Sequence, residues 1–157
     1  MNIEIRKAGA EDLYGVNCLL HQVLEVHAKG RPDIFKAGTK KYTDEQLLSI
    51  FKNEETPVFV AIYNENVVGY CFCINQKNEE NENMYAMNTL YIDDLCVDEN
   101  YRGMHIGTTL YEHVLKYAKD NHFYNVTLNV WALNESAYKF YQKLGLVPLK
   151  TTMEKIL

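Results

Sequence analysis

Asp93-Asp94-Leu95-Cys96-Val97-Asp98-Glu99-Asn100-Tyr101-Arg102-Gly103-Met104-His105-Ile106-Gly107-Thr108 is the stretch on which the reading of this 157-residue chain turns. A largely apolar run gives way to a polar loop containing glycine, and Ile106, Leu110, Val114, Leu115 and Ala118 then recur at helical spacing. The pattern predicts a strand from about Thr89 to Val97, a tight loop and a long amphipathic helix. The first turn of a helix carries N–H groups without intrahelical partners, and the helix dipole adds positive charge there. A loop aimed in this way is a cradle for an anion such as a pyrophosphate. Neither G-x-x-x-x-G-K-[ST] nor G-x-G-x-x-G occurs, so two familiar phosphate loops are excluded.

A second strand-to-helix passage follows. Val126-Thr127-Leu128-Asn129-Val130-Trp131 is apolar and β-rich, and a helix is predicted from Asn134, a good N-cap, to Gly145, a good C-terminal stop. Upstream, Ile3 and Ile5 alternate with Glu4 and Arg6 as a short strand. Leu13, Val16, Leu19, Leu20, Val23 and Leu24 then form the stripe of a helix ending near Gly30-Arg31-Pro32. Residues 31 to 43 read as loop, and Thr43-Asp44-Glu45-Gln46 opens a second helix. Val58–Tyr63 and Val67–Ile74 flank Asn64-Glu65-Asn66 as a hairpin, Asn75 to Asn83 reads as an exposed polar loop, and a last strand is expected around Leu149 to Ile156.

Arg102-Gly103-Met104-His105-Ile106-Gly107 resembles the R-x-x-G-x-G/A segment of the GNAT superfamily of acetyl-CoA-dependent acetyltransferases, with His105 where that pattern has its first glycine. His105 is expected in the first helical turn, at φ about −63°, where any L-residue fits and a glycine would serve only close approach of a phosphate. Asn134-Glu135-Ser136-Ala137-Tyr138-Lys139-Phe140-Tyr141-Gln142-Lys143-Leu144-Gly145-Leu146 resembles the N-x-x-A-x-x-F-Y-x-K-x-G-F segment of the same superfamily. With the N-terminal strand and helix, the resemblance spans nearly the whole chain. It implies an α/β fold, with a mixed, largely antiparallel sheet, a parallel strand pair that splays apart to admit the cofactor, and flanking helices.

Size and composition suit a single domain over residues 1–157, with 47% hydrophobic and 24% charged residues. No apolar run approaches the roughly 20 residues of a membrane span, and the N-terminus alternates where a signal peptide needs an apolar core, so a cytoplasmic protein is expected. The net charge of −5 disfavours nucleic acid and anionic membranes and is compatible with a cationic small substrate. Cys18, Cys71, Cys73 and Cys96 lack zinc spacing and read as small buried hydrophobes, His21 and His27 read as surface or half-buried side chains, and no metal is expected.

The resemblance assigns acetyl-CoA as cosubstrate. It implies that Leu95, Cys96 and Val97 pair through their backbones with its pantetheine arm and that Arg102, Gly103, Met104, His105, Ile106, Gly107 and Thr108 cradle its pyrophosphate. Asn134, Ser136 and Ala137, at the start of the second helix, are likewise implied to touch the cofactor. Acetyl transfer to an amine of pKa about 10.4 requires loss of a proton before attack, which a positioned base assists. Asp93 and Asp94 stand where the resemblance puts acidic site residues. Strict alternation sends them to opposite faces, whereas the family's strand bulge allows both to contribute. Tyr141 is the candidate acid, its phenol protonated at neutral pH and able to donate to the departing thiolate.

Tyr91-Ile92-Asp93-Asp94-Leu95-Cys96-Val97-x-x-x-Tyr101-Arg102-Gly103, together with Trp131-x-x-Asn134-Glu135-Ser136 and Phe140-Tyr141, looks most like the diamine (spermidine/spermine) acetyltransferase branch. The expected partner is a small cationic amine, and a homodimer is compatible with the reading. Acetylation of a peptide or drug-like amine, and a non-catalytic acyl-CoA-binding sensor, stand as alternatives.

Overall fold

The computed structural model describes residues 2–157. Its strands are β1 (Glu4–Lys7), β2 (Val58–Tyr63), β3 (Asn66–Asn78), β4 (Met87–Val97) and β5 (Asn125–Leu128). Its helices are α1 (Leu13–Gly30), α2 (Asp44–Lys52), α3 (Ile106–Asp120) and α4 (Glu135–Lys143). The strands form one sheet in chain order, every neighbour antiparallel except β4 and β5, which run parallel. The mixed sheet with one parallel pair is the architecture expected from the sequence.

Two apolar layers cover the sheet. On one face α3 buries Ile106, Leu110, Val114 and Ala118 against Phe59, Cys71, Leu90 and Ile92. On the other, Val16, Leu19 and Leu20 of α1 and Leu47 of α2 close over Val58, Val60, Tyr70 and Phe72. Local chemistry fixes the ends of these elements. Thr43 and Gln46 form the capping box of α2. Asn64 and Glu65 both take positive φ, the geometry of a tight hairpin turn. Asp12, almost fully buried, accepts two hydrogen bonds from Arg6, at 2.7 and 3.0 Å, and one from the Gly9 N–H. This charge-assisted cluster pins β1 to the start of α1.

Three expectations are corrected. β3 extends to Asn78, so the polar loop starts four residues later than its composition suggests. Cys71, Cys73 and Cys96 are buried but Cys18 is exposed, because it lies between Val16 and Leu19 on the outward side of α1. The segment after Leu146 forms no strand. Its apolar residues Val147, Leu149, Met153 and Ile156 are exposed, and Glu154 pairs with Arg31. Alternation was legible there, but a strand also needs a partner backbone, and among the described residues none pairs with this segment.

Candidate functional site

Parallel pairing of β4 and β5 runs only from Thr89↔Asn125 to Ile92↔Leu128, although β4 continues to Val97. From Asp93 onward the β5-facing edge of β4 has no strand partner. An open cleft of about 750 Å³ begins there, bounded by the last turns of α1, the end of β4, the start of α3, the end of β5 and one side of α4.

A bulge decides what β4 presents to this cleft. Phe72 pairs with Asp94 and Cys73 with Ile92, leaving Asp93 as the extra residue. Before the bulge Leu90 and Ile92 face α3, and after it Leu95 and Val97 do so. Asp93 and Asp94 therefore share the face toward α1. One inserted residue has undone the separation that strict alternation predicts.

The two carboxylates have different surroundings. Asp94 is half-buried and accepts a 2.6 Å hydrogen bond from the Tyr70 hydroxyl. Its burial raises the carboxyl above the ordinary aspartate value, outweighing the lowering by Tyr70 and by the charges of Lys41 and His27. Asp93 is partly open and accepts a hydrogen bond from Lys41 at 3.0 Å. Across the cleft, burial pushes the Tyr141 phenol well above its usual range, with the nearby Cys71 and Asp94 adding to the shift. The cleft thus holds a carboxyl that takes a proton more readily than usual and a phenol that stays protonated.

The loop between β4 and α3 departs from the expectation at one residue. α3 begins at Ile106, so His105 is its N-cap and sits outside the first turn, at φ 61° and ψ 15°, a left-handed conformation. A glycine there would give dihedral freedom, contrary to the expectation that only close approach was at stake. Burial of Ile106, the next residue, is worth about 1.5–3 kcal/mol and outweighs the strain of roughly 1–2 kcal/mol at His105. Gly103, at φ 77°, makes the turn before it. Gly107 serves a close approach, since a Cβ there would lie 3.1 Å from the Phe140 ring. That contact joins α3 to α4, and the Phe140 and Tyr141 rings lie 5.1 Å apart. Phe140 is half-buried.

Leu95, Cys96, Val97, Arg102, Gly103, His105, Ile106, Gly107, Thr108, Asn134, Ser136 and Ala137 all line the cleft, as do Asp93, Asp94 and Tyr141. Met104 is the exception, because its side chain packs on the α3-side core. The Cys96 thiol, buried on the α1 side, is pushed up to about 12 by desolvation, so it is an inert neutral group. Asn134 Oδ1 caps α4 by accepting the Ala137 N–H at 3.2 Å.

Sequence reasoning missed His27, Trp131 as a cleft wall, Tyr70 and Lys41. His27 at the end of α1 lies 4.9 Å from the Phe35 ring, which meets Trp131 edge-on at 5.5 Å. This trio bridges the two sides of the cleft mouth from three separate segments, and no local pattern marks such a contact. Among the described residues, no three or more His, Cys, Asp or Glu side chains gather as a metal site, and no helix is long and apolar enough to cross a membrane.

Residues 20–146 match the family model described as the acetyltransferase (GNAT) family. The chain is 38% identical over 87 residues to the probable N-acetyltransferase san of Drosophila melanogaster, covering 55% of this chain and 44% of that protein. It is 33% identical over 105 residues to streptothricin acetyltransferase A of Bacillus subtilis, covering 66% and 56% respectively. It thus spans about half the length of these curated relatives. A solved structure of a tetramutant of the BH1408 protein from Bacillus halodurans superposes with a TM-score of 0.94 at 34% identity, over 98% of this chain and 99% of that one. A cleft where β4 and β5 part, a glycine-containing turn into the start of α3 and a family match across most of the chain lead to one conclusion: the chain belongs to the acetyltransferase (GNAT) family.

Proposed function

We propose that this protein is an acetyl-CoA-dependent N-acetyltransferase acting on a small cationic amine. The observation that carries the reading is the meeting of two unsatisfied backbone surfaces: the open edge of β4 beyond Ile92 and the free N–H groups at the start of α3. One fits the amide-bearing pantetheine arm as an added strand, the other fits the pyrophosphate, and exposed Arg102 adds charge beside it. When bound, acetyl-CoA supplies an activated acetyl thioester.

The remaining chemistry falls to the chain. Asp94, directly or through water, takes the proton that the reacting ammonium must lose, and its raised carboxyl suits that task better than an ordinary aspartate would. The neutral amine would attack the thioester carbonyl; as the C–S bond breaks, Tyr141 would give its proton to the leaving sulfur, and the proton then lost from the cationic nitrogen would restore the phenol, directly or through water. Two groups on one cleft, one raised toward basicity and one held as an acid, fit these separate roles. Asp93 offers a charge for a second ammonium of the substrate. Acetylation of a bulkier drug-like amine is a second reading, favoured by the aromatic trio at the mouth and by the likeness to a streptothricin acetyltransferase. The exposed apolar segment after Leu146 supports a homodimer, and the cytoplasm is the compartment we assign.

Mass spectrometry of a panel of monoamines, diamines, peptides and aminoglycosides incubated with protein and acetyl-CoA tests the reading. An acetylated diamine is expected. Hydrolysis-level turnover on every amine would leave the acyl-CoA-binding sensor instead.

A further inference from the structure

The site proposed above asks Asp93 to hold a protonated amine, and the chain already places one there. Lys41 Nζ donates to Asp93 Oδ2 at 3.0 Å and lies 5.3 Å from the centroid of the Tyr42 ring. That ring is a fixed platform. It stacks on Phe72 at 6.1 Å with an interplanar angle of 18°, and Phe72 is itself packed edge-on against buried Tyr70. A carboxylate beside an anchored aromatic face is a cup for an alkylammonium. Lys41 fills it with an ammonium on a four-carbon stem, the same group that the far end of a small diamine presents.

The contact is held but not sealed. Side-chain exposure is 45% for Lys41 and 26% for Asp93. Burial alone would lower the Lys41 ammonium, yet the hydrogen bond and charge of Asp93 hold it above the ordinary lysine value, so Lys41 keeps its charge at neutral pH. Lys41 belongs to the segment between α1 and α2, which has neither helix nor strand around it. A second cavity of about 620 Å³, lined by Lys41, Tyr14, His21 and Asp44, lies beside α1 and gives the side chain a place to swing without disturbing the core.

We infer that Lys41 is a tethered competitor for the distal ammonium of the substrate, filling the Asp93–Tyr42 cup until a diamine displaces it. The inference rests on the proposed acyl-transfer reading for the identity of the incoming amine. A monoamine uses its one nitrogen in the reaction and leaves the cup to Lys41, whereas a diamine must empty it. Lys41 therefore sets the preference between the two classes.

The test compares wild type, Lys41→Met and Lys41→Arg. Calorimetry reads binding of 1,4-diaminobutane and butylamine to CoA-loaded protein, and steady-state kinetics read KM for both. Release from a partly exposed ion pair and cation–π contact predicts diaminobutane binding tighter by about 2- to 10-fold in Lys41→Met, with KM falling in step. The diamine-to-monoamine ratio should stay near wild type in Lys41→Arg, which keeps the cation. An unchanged ratio in Lys41→Met, or weaker diamine binding, overturns the inference even if both amines are acetylated. Tighter diamine binding without turnover of any amine sustains it and overturns the acyl-transfer reading instead.

Discussion

Replacing His105 by glycine should stabilise this protein. His105 holds a left-handed backbone at φ 61° and caps α3 without a side-chain hydrogen bond, so the substitution relieves strain and breaks no polar contact. The strain is worth roughly 1–2 kcal/mol, toward the lower end because histidine tolerates this region better than most residues. Glycine gives back about 0.4–1 kcal/mol through its greater freedom in the unfolded chain. The net gain is about 0–0.6 kcal/mol, or a Tm rise of up to about 2 °C for a chain of this size. His105→Ala keeps the strain and should melt below wild type. Thermal unfolding of the three proteins without ligand reads the order glycine, histidine, alanine. If alanine melts as high as glycine, the backbone conformation is not what limits this position.

Tyr141→Phe should lower kcat by about 10² to 10⁴ while leaving acetyl-CoA affinity nearly unchanged, because the hydroxyl acts only as the thiolate leaves; wild-type kcat in a chemistry-limited assay removes that role. Asp94 predicts a pH signature in both stability and rate. Burial raises its folded carboxyl, so its favourable contribution is full below the unfolded carboxyl value and is lost as pH rises through the folded one. Asp94→Asn should flatten that part of the stability profile in denaturant titrations across pH. The rate should rise over the same window as the carboxylate forms, and Asp94→Asn should abolish that limb; a limb that persists assigns the base elsewhere.

The strand-loop-helix units at β4–α3 and β5–α4 were legible because each is local. Asn134 and Gly145 end α4 by short-range chemistry, and the apolar stripe of α3 needs no knowledge of its partner. The bulge at Asp93 was not legible from alternation, since the extra residue is itself one of two adjacent aspartates and leaves the apolar pattern readable in either register. His105 was misread by one position, enough to turn an ordinary helical residue into a left-handed cap. Lys41 is 52 residues from Asp93 in sequence and sits in a segment without periodicity, so its pairing is a product of tertiary structure alone. The terminal segment shows the reverse failure, a strand-like pattern for which the chain provides no neighbour.

Hydrogen exchange with and without acetyl-CoA tests the central claim most directly, because that claim is about backbone groups. The account predicts that acetyl-CoA slows exchange at amides in the segment from Gly103 to Thr108, at the start of α3, and on the open edge of β4 between Asp93 and Val97. Protection confined to other surfaces, with both of these segments exchanging as fast as in the free protein, contradicts it.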